Sequence, residues 1–77
     1  MEKLSIKIMI GNRAYSMKVP MEEEQKVRLA AKELNKKISE VGKKMNIQDL
    51  QDILAMISFE LTIDANKSKY KIHENHK

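Results

Sequence analysis

The 77-residue chain has no cysteine, no tryptophan, one proline, two glycines and only three aromatic residues. Without cysteine there is no disulfide to staple the fold and no thiolate to hold a metal, which fits a reducing compartment. With Tyr15, Phe59 and Tyr70 as the aromatics, a base-stacking platform for single-stranded nucleic acid is not expected. The longest apolar run, residues 53–57, falls far short of the roughly 20 residues that a membrane helix needs. Met1, Glu2 and Lys3 lead straight into an alternating segment rather than a signal peptide. A soluble cytoplasmic protein is the expectation. Neither charge sign is scarce. The 15 basic and 11 acidic residues leave a net charge of +4, and the two signs interleave. That is weak support for a nucleic-acid partner, where basic residues gather on one face.

The length suits one domain. A chain this small buries only about 60% of its unfolded surface, so its core is marginal alone. Small scaffolds need staples, and self-association is the one this composition leaves.

The scarcity of glycine and proline makes each a landmark. Leu4, Ile6, Ile8 and Ile10 alternate with Ser5, Lys7 and Met9, and Tyr15, Met17 and Val19 alternate again. Gly11 and Asn12 between them tolerate a tight turn. A two-residue loop pairs Ile8 with Tyr15, Ile6 with Met17 and Leu4 with Val19, placing every apolar side chain on one face. A slip of one residue would destroy the match. Pro20 stops the second strand. Glu22, Glu23 and Glu24 then supply negative charge where a helix begins. That helix is expected over residues 22–41. Its stripe of Val27, Ala30, Ala31, Leu34, Ile38 and Val41 should lie on the hairpin. The pairs Glu33–Lys37 and Glu40–Lys44 should mark its solvent face, and Leu29 points away from the stripe. Gly42 is placed to end the helix, with Lys43 and Lys44 at its negative end.

Residues 46–71 carry no glycine or proline and predict the long helix around which the chain is organised. Asn46 is the expected N-cap. Leu54, Ser58, Leu61, Ala65, Ser68 and Ile72 recur at alternating spacings of four and three, a heptad seam. Leu50, Ile53 and Ile57 form a second stripe; Met56, Phe59 and Ile63 form a third. An ordinary surface helix has one such stripe. This one is expected to be buried by its own head and by other chains. The predicted oligomer interface is Leu50, Ile53, Leu54, Ile57, Ser58, Leu61 and Ala65, where small residues let two backbones approach. Past Ile63 the helix turns polar, and fraying into a disordered tail is expected. The fold class is therefore α+β: a β-hairpin and helix head over residues 1–45, then a coiled-coil helix with a polar tail over residues 46–77, one oligomeric structural unit.

No constellation for catalysis or for a cofactor is present. His73 and His76 are spaced for one helix face, but Glu74 and Asn75 are poor support for a metal site. The acidic run at residues 22–24 reads as a dipole-matched first turn. Gly11 has no phosphate-binding loop around it. Ser5, Ser16, Ser39, Ser58 and Ser68 have no histidine patterned to activate them. Arg13, at the exposed hairpin tip, is the side chain best placed to reach a partner; Lys43 and Lys44 read as helix-end charges.

Three motifs in order carry a resemblance. Ile6, Ile8, Gly11 and Tyr15 make I-x-I-x-x-G-x-x-x-Y. Ala30, Ala31, Leu34 and Asn35 make A-A-x-x-L-N. Ile57, Ser58, Phe59, Glu60 and Leu61 make I-S-F-E-L. Over residues 4–66 the chain resembles the ZapA family of bacterial cell-division proteins. The resemblance implies a hairpin-and-helix head, a coiled-coil helix that makes dimers and antiparallel tetramers, and heads that bind the tubulin-like GTPase FtsZ. Such an assembly bridges and bundles filaments at the division septum. It also implies a basic residue at or near the hairpin tip in filament binding, a role that falls on Arg13 or its neighbour Asn12. The family's second helix usually continues beyond a length like this one. The competing reading is a small dimeric nucleic-acid binder of the ribbon-helix-helix type. Against it, those domains use one strand, whereas this chain has two joined by a good turn.

Overall fold

The computed structural model describes the backbone of residues 2–74 and the side chains of residues 2–66. Strand β1 (Lys3–Ile10) and strand β2 (Arg13–Pro20) form an antiparallel hairpin. A 3-10 turn (Met21–Glu23), helix α1 (Glu24–Met45) and helix α2 (Leu50–Glu74) follow. The register is the one the alternation demands, with Ile8 opposite Tyr15, Ile6 opposite Met17 and Leu4 opposite Val19. Gly11 has φ +64 while Asn12 keeps negative φ, the sign pattern of a type II′ turn with glycine in its first central position.

The core of the head is Ile6, Ile8 and Val19, with Leu4, Ile10, Val27 and Ala31 packed against it. Helix α1 lies over β1 rather than over the whole hairpin. Sharing a face is therefore not the same as being covered. Tyr15 and Met17 remain 44% and 38% exposed across from the buried Ile8 and Ile6. Ala30, expected on the hairpin-facing stripe, is exposed as well. It lies with Leu34 on the flank of α1 that borders α2. The i, i+4 ion pair that forms on α1 is Glu24–Arg28, 2.9 Å, rather than Glu33–Lys37 or Glu40–Lys44. It is surface-exposed and worth a few tenths of a kcal/mol.

The junction between the helices departs from expectation at both caps. Gly42 does not end α1, which continues to Met45. Asn46 does not start α2; it closes α1 in the left-handed conformation, φ 55 and ψ 44. The Ile47 N–H donates to Gly42 O at 2.9 Å and the Asn46 N–H to Lys43 O at 3.3 Å, the paired closure of a Schellman motif. Asparagine tolerates this backbone better than most residues. Gly42 is used for contact instead. A Cβ there would stand 3.1 Å from Ile53 Cδ1 and 3.2 Å from Ile47 O, so its bare backbone lets α2 approach α1. The connection is residues 46–49, where the sequence places it at residues 43–46.

Asp49 caps α2. Its Oδ1 accepts the Gln51 N–H at 2.8 Å, and its carbonyl accepts the Ile53 N–H at 3.0 Å. Replacing Asp49 by alanine should lower stability by about 1 kcal/mol, read as a lower urea midpoint with an unchanged slope. With no glycine or proline to stop it, α2 runs to Glu74. The expected fraying of the tail, Ser68, Tyr70 and Ile72 in the stripe, and the side chains of His73 and His76 lie outside the residues described in full.

The result is a flat molecule, 47 × 39 × 15 Å, with a radius of gyration of 16.0 Å; a compact domain of this length has about 11 Å. Its accessible surface of 6749 Å² exceeds by about 1,900 Å² that of a compact monomer of 9.0 kDa.

Candidate partner-binding surfaces

Two surfaces present side chains that the fold itself does not use. The first is the hairpin tip. Asn35, halfway along α1, holds it. The Asn35 Oδ1 accepts the Gly11 N–H at 2.7 Å, and its Nδ2 donates to Met9 O, also at 2.7 Å. One amide thus satisfies a donor and an acceptor of the turn backbone. On the same turn, Leu50 from the first turn of α2 lies so close to Gly11 that a Cβ there would meet its Cδ2 at 2.6 Å. Three sequence-distant pieces converge here: turn, mid-α1 and the start of α2. Asn12 and Arg13 project from this fixed point, both exposed. No hydrogen bond or ion pair engages either side chain among the described residues. A guanidinium on a rigid turn suits an acidic partner surface.

The sequence marks Asn35 only as a member of the A-A-x-x-L-N motif and assigns it no contact. Its signal was positional: a lone amide four residues after Ala31 and three before Ile38, on the edge of the stripe that meets the hairpin.

The second surface belongs to α2. The structure divides its three stripes. Ile53 and Ile57 are buried against the head, 6% and 2% exposed, and Leu50 is half-buried on Gly11. Leu54 and Met56 are half-buried. Ser58, Leu61 and Ala65 are exposed. Phe59, Leu61 and Ile63 leave 60%, 54% and 37% of their surface open. Between the helices runs an open groove of about 410 Å³, floored by Ala30, Leu34, Ile57 and Leu61 and rimmed by Glu33, Lys36, Lys37 and Glu40. Single exposed apolar residues are normal on any surface; several on consecutive turns of one helix are not.

Among the described residues no group of three or more histidine, aspartate or glutamate side chains is placed to hold a metal ion. No described helix is long and apolar enough to cross a membrane.

A family model described as "Cell division protein ZapA" matches residues 6–77. No curated protein and no solved structure matches the chain.

Proposed function

The chain belongs to the ZapA family of cell-division proteins, and from that premise we propose that it is a non-enzymatic crosslinker of FtsZ filaments. It acts in the cytoplasm at the division septum. The hairpin tip, with Asn12 and Arg13, contacts the filament. Helix α2 joins copies of the chain into a homodimer, and pairs of dimers into a tetramer, by coiled-coil packing. The surface on α2 would be Leu54, Ser58, Leu61 and Ala65, continuous with Leu50, Ile53 and Ile57, which also pack on the head. The observation that carries this reading is the separation of the two surfaces. The tip sits at the N-terminal end of α2, and the open apolar side chains lie further along the same helix. Self-association through α2 then leaves every tip free. Two or more weak heads on one assembly bind a polymer far more tightly than either head alone.

Co-sedimentation with FtsZ, with and without GTP, tests the reading. Pelleting only with GTP, with filament bundles in the electron microscope, is the expected result. No pelleting at moderate salt would overturn it, and a salt-sensitive shift of duplex DNA would move the choice to a nucleic-acid binder. Arg13→Glu should weaken co-sedimentation by about tenfold or more, a contact-charge effect of at least about 1.4 kcal/mol. Its thermal midpoint should stay unchanged, because Arg13 contributes nothing to the packed head.

A further inference from the structure

The turn that carries Asn12 and Arg13 is held by more than the hairpin needs. The bond from the Met21 N–H to Glu2 O continues the β1–β2 ladder and fixes its phase. Leu4–Val19, Ile6–Met17, Ile8–Tyr15 and Ile10–Arg13 are the pairs that exchange hydrogen bonds, and the last of them closes the two-residue loop. The ladder uses neither the Gly11 N–H nor the Met9 carbonyl. One side chain, Asn35, engages both, at 2.7 Å each. These two bonds are solvent-exposed. Without the amide, water would satisfy both groups and the ladder would still stand. The latch therefore matters little to whether the hairpin forms and much to where its tip points.

Asparagine runs against local preference at this position. It is a poor helix former beside the Ala, Leu, Lys, Arg, Glu, Gln and Met that fill most of α1. Asn35 is the only asparagine in that helix, and it lies halfway along, where no cap calls for one. Sequences break local rules mainly where a site requires it. The chemistry of the amide fits the requirement, because it carries a donor and an acceptor at the end of one short arm. An aspartate would accept from the Gly11 N–H but, ionised, has nothing to donate to the Met9 carbonyl. The tip also needs holding. Burial along the strands ends at Ile8; Ile10 is half-buried, and Gly11, Asn12, Arg13 and Ala14 are exposed. Leu50 packs on the turn from α2, but an apolar contact has no direction. Hydrogen bonds do.

We propose that Asn35 is a positioning residue for partner binding: its amide holds the turn on α1 so that Arg13 meets the filament already oriented. The inference rests on the tip being the filament contact, as proposed above. Asn35 acts through the turn backbone, on which both of its hydrogen bonds fall. Fixing the turn before contact removes an ordering cost that binding would otherwise carry. The anchor is the middle of a 22-residue helix, far from the ends where helices fray.

Co-sedimentation of Asn35→Ala with FtsZ and GTP tests the proposal. The filament concentration that pellets half of the protein should rise by about fivefold to tenfold. The urea midpoint should stay near that of the unsubstituted chain, because a better helix former offsets the loss of two exposed hydrogen bonds. Asn35→Leu keeps the branched shape of the side chain without either bond and should behave the same way. A double-mutant cycle with Arg13→Ala separates positioning from contact. In that background Asn35→Ala should weaken pelleting by less than about twofold, since no guanidinium is left to orient. A readout without the filament is amide exchange: the Gly11 proton should exchange about fivefold faster in Asn35→Ala, with those of Ile6 and Ile8 unchanged. Undiminished pelleting by Asn35→Ala, while Arg13→Ala pellets poorly, overturns the proposal and leaves the filament contact standing. An equal loss in both backgrounds overturns it too, because Asn35 then acts elsewhere than through Arg13. Undiminished pelleting by Arg13→Ala removes the tip from the proposed function, and the positioning role with it. A pelleting loss that tracks a lower urea midpoint marks Asn35 as a structural residue only. Unchanged exchange at Gly11 means that the amide does not hold the turn, whatever the pelleting shows.

Discussion

Ile57→Glu should abolish the cooperative unfolding transition, while Leu61→Glu, four residues on, should keep it and lose assembly mass. The two positions sit on adjacent turns of α2, and both belong to the apolar set that the sequence assigns to self-association. The structure separates them. Ile57 is 2% exposed inside a single chain, and Leu61 is 54% exposed. A carboxylate at position 57 would be desolvated with no partner, at several kcal/mol. Stability at this length is of the order of 4–12 kcal/mol. Among the described residues five side chains are buried, Ile6, Ile8, Val19, Ile53 and Ile57, so few other contacts can compensate. At position 61 the same carboxylate stays in water in the single chain and disturbs only what another copy would cover. Thermal melting by circular dichroism and mass by light scattering read the two effects separately. A folded Ile57→Glu would mean that α2 does not pack on the head. A Leu61→Glu assembly of wild-type mass would remove the α2 seam from the proposed function.

Gly11→Ala should destabilise the head by about 2–3 kcal/mol, the larger part of it through a contact rather than through backbone preference. The φ of +64 alone costs an alanine about 1 kcal/mol. The added Cβ also meets Leu50 Cδ2 at 2.6 Å, closer than real carbons approach, and Cδ1 at a tight 3.1 Å. Leu50 must turn away and give up its packing on the turn. The test is a double-mutant cycle with Leu50→Ala, followed by urea denaturation. Truncating Leu50 makes room, so Gly11→Ala should cost only about 1 kcal/mol in that background, leaving a coupling of about 1–2 kcal/mol. Additive costs would mean that Leu50 does not seat on the turn. Because the same turn carries Asn12 and Arg13, the variant should also weaken pelleting with FtsZ more than its stability loss explains.

The hairpin could be read to the residue because alternation has an unforgiving period: one slip exposes every apolar side chain. Helix existence was equally plain from the stripes. The sequence was silent on which strand the helix would cover. Tyr15 and Met17 obey the same alternation as Ile6 and Ile8, and nothing in the pattern says that α1 leans to the β1 side. The caps were misread for a related reason. Glycine after a helical stripe normally ends it, but Gly42 is also where Ile53 of α2 comes close to the α1 backbone, and packing overrode local preference. Asn46 fits either cap by residue type. Its left-handed backbone follows from α1 running four residues longer than expected, to Met45. Burial of Ile53 and Ile57 by the chain itself was half-legible, since the multi-striped helix called for both a head and a partner. Dividing the stripes between them took the three-dimensional arrangement. Asn35 shows the limit most clearly. Its two hydrogen bonds span 24 and 26 residues, and no local pattern records a contact at that range.

The closure at Asn46 leaves only residues 46–49 between the helices, with Ile53 seated on Gly42. The head is thus keyed to α2 at a set azimuth, like a flag fixed to a mast. The 25 residues of α2 rise about 37 Å and wind through about seven turns. A one-residue insertion beyond Ile57 would swing everything downstream by about 100° relative to the tip, whereas seven residues would lengthen the mast by about 10 Å with little rotation. Helix length in this architecture is therefore a compass bearing as well as a distance: it decides which way Arg13 looks when a distant part of the same helix is held.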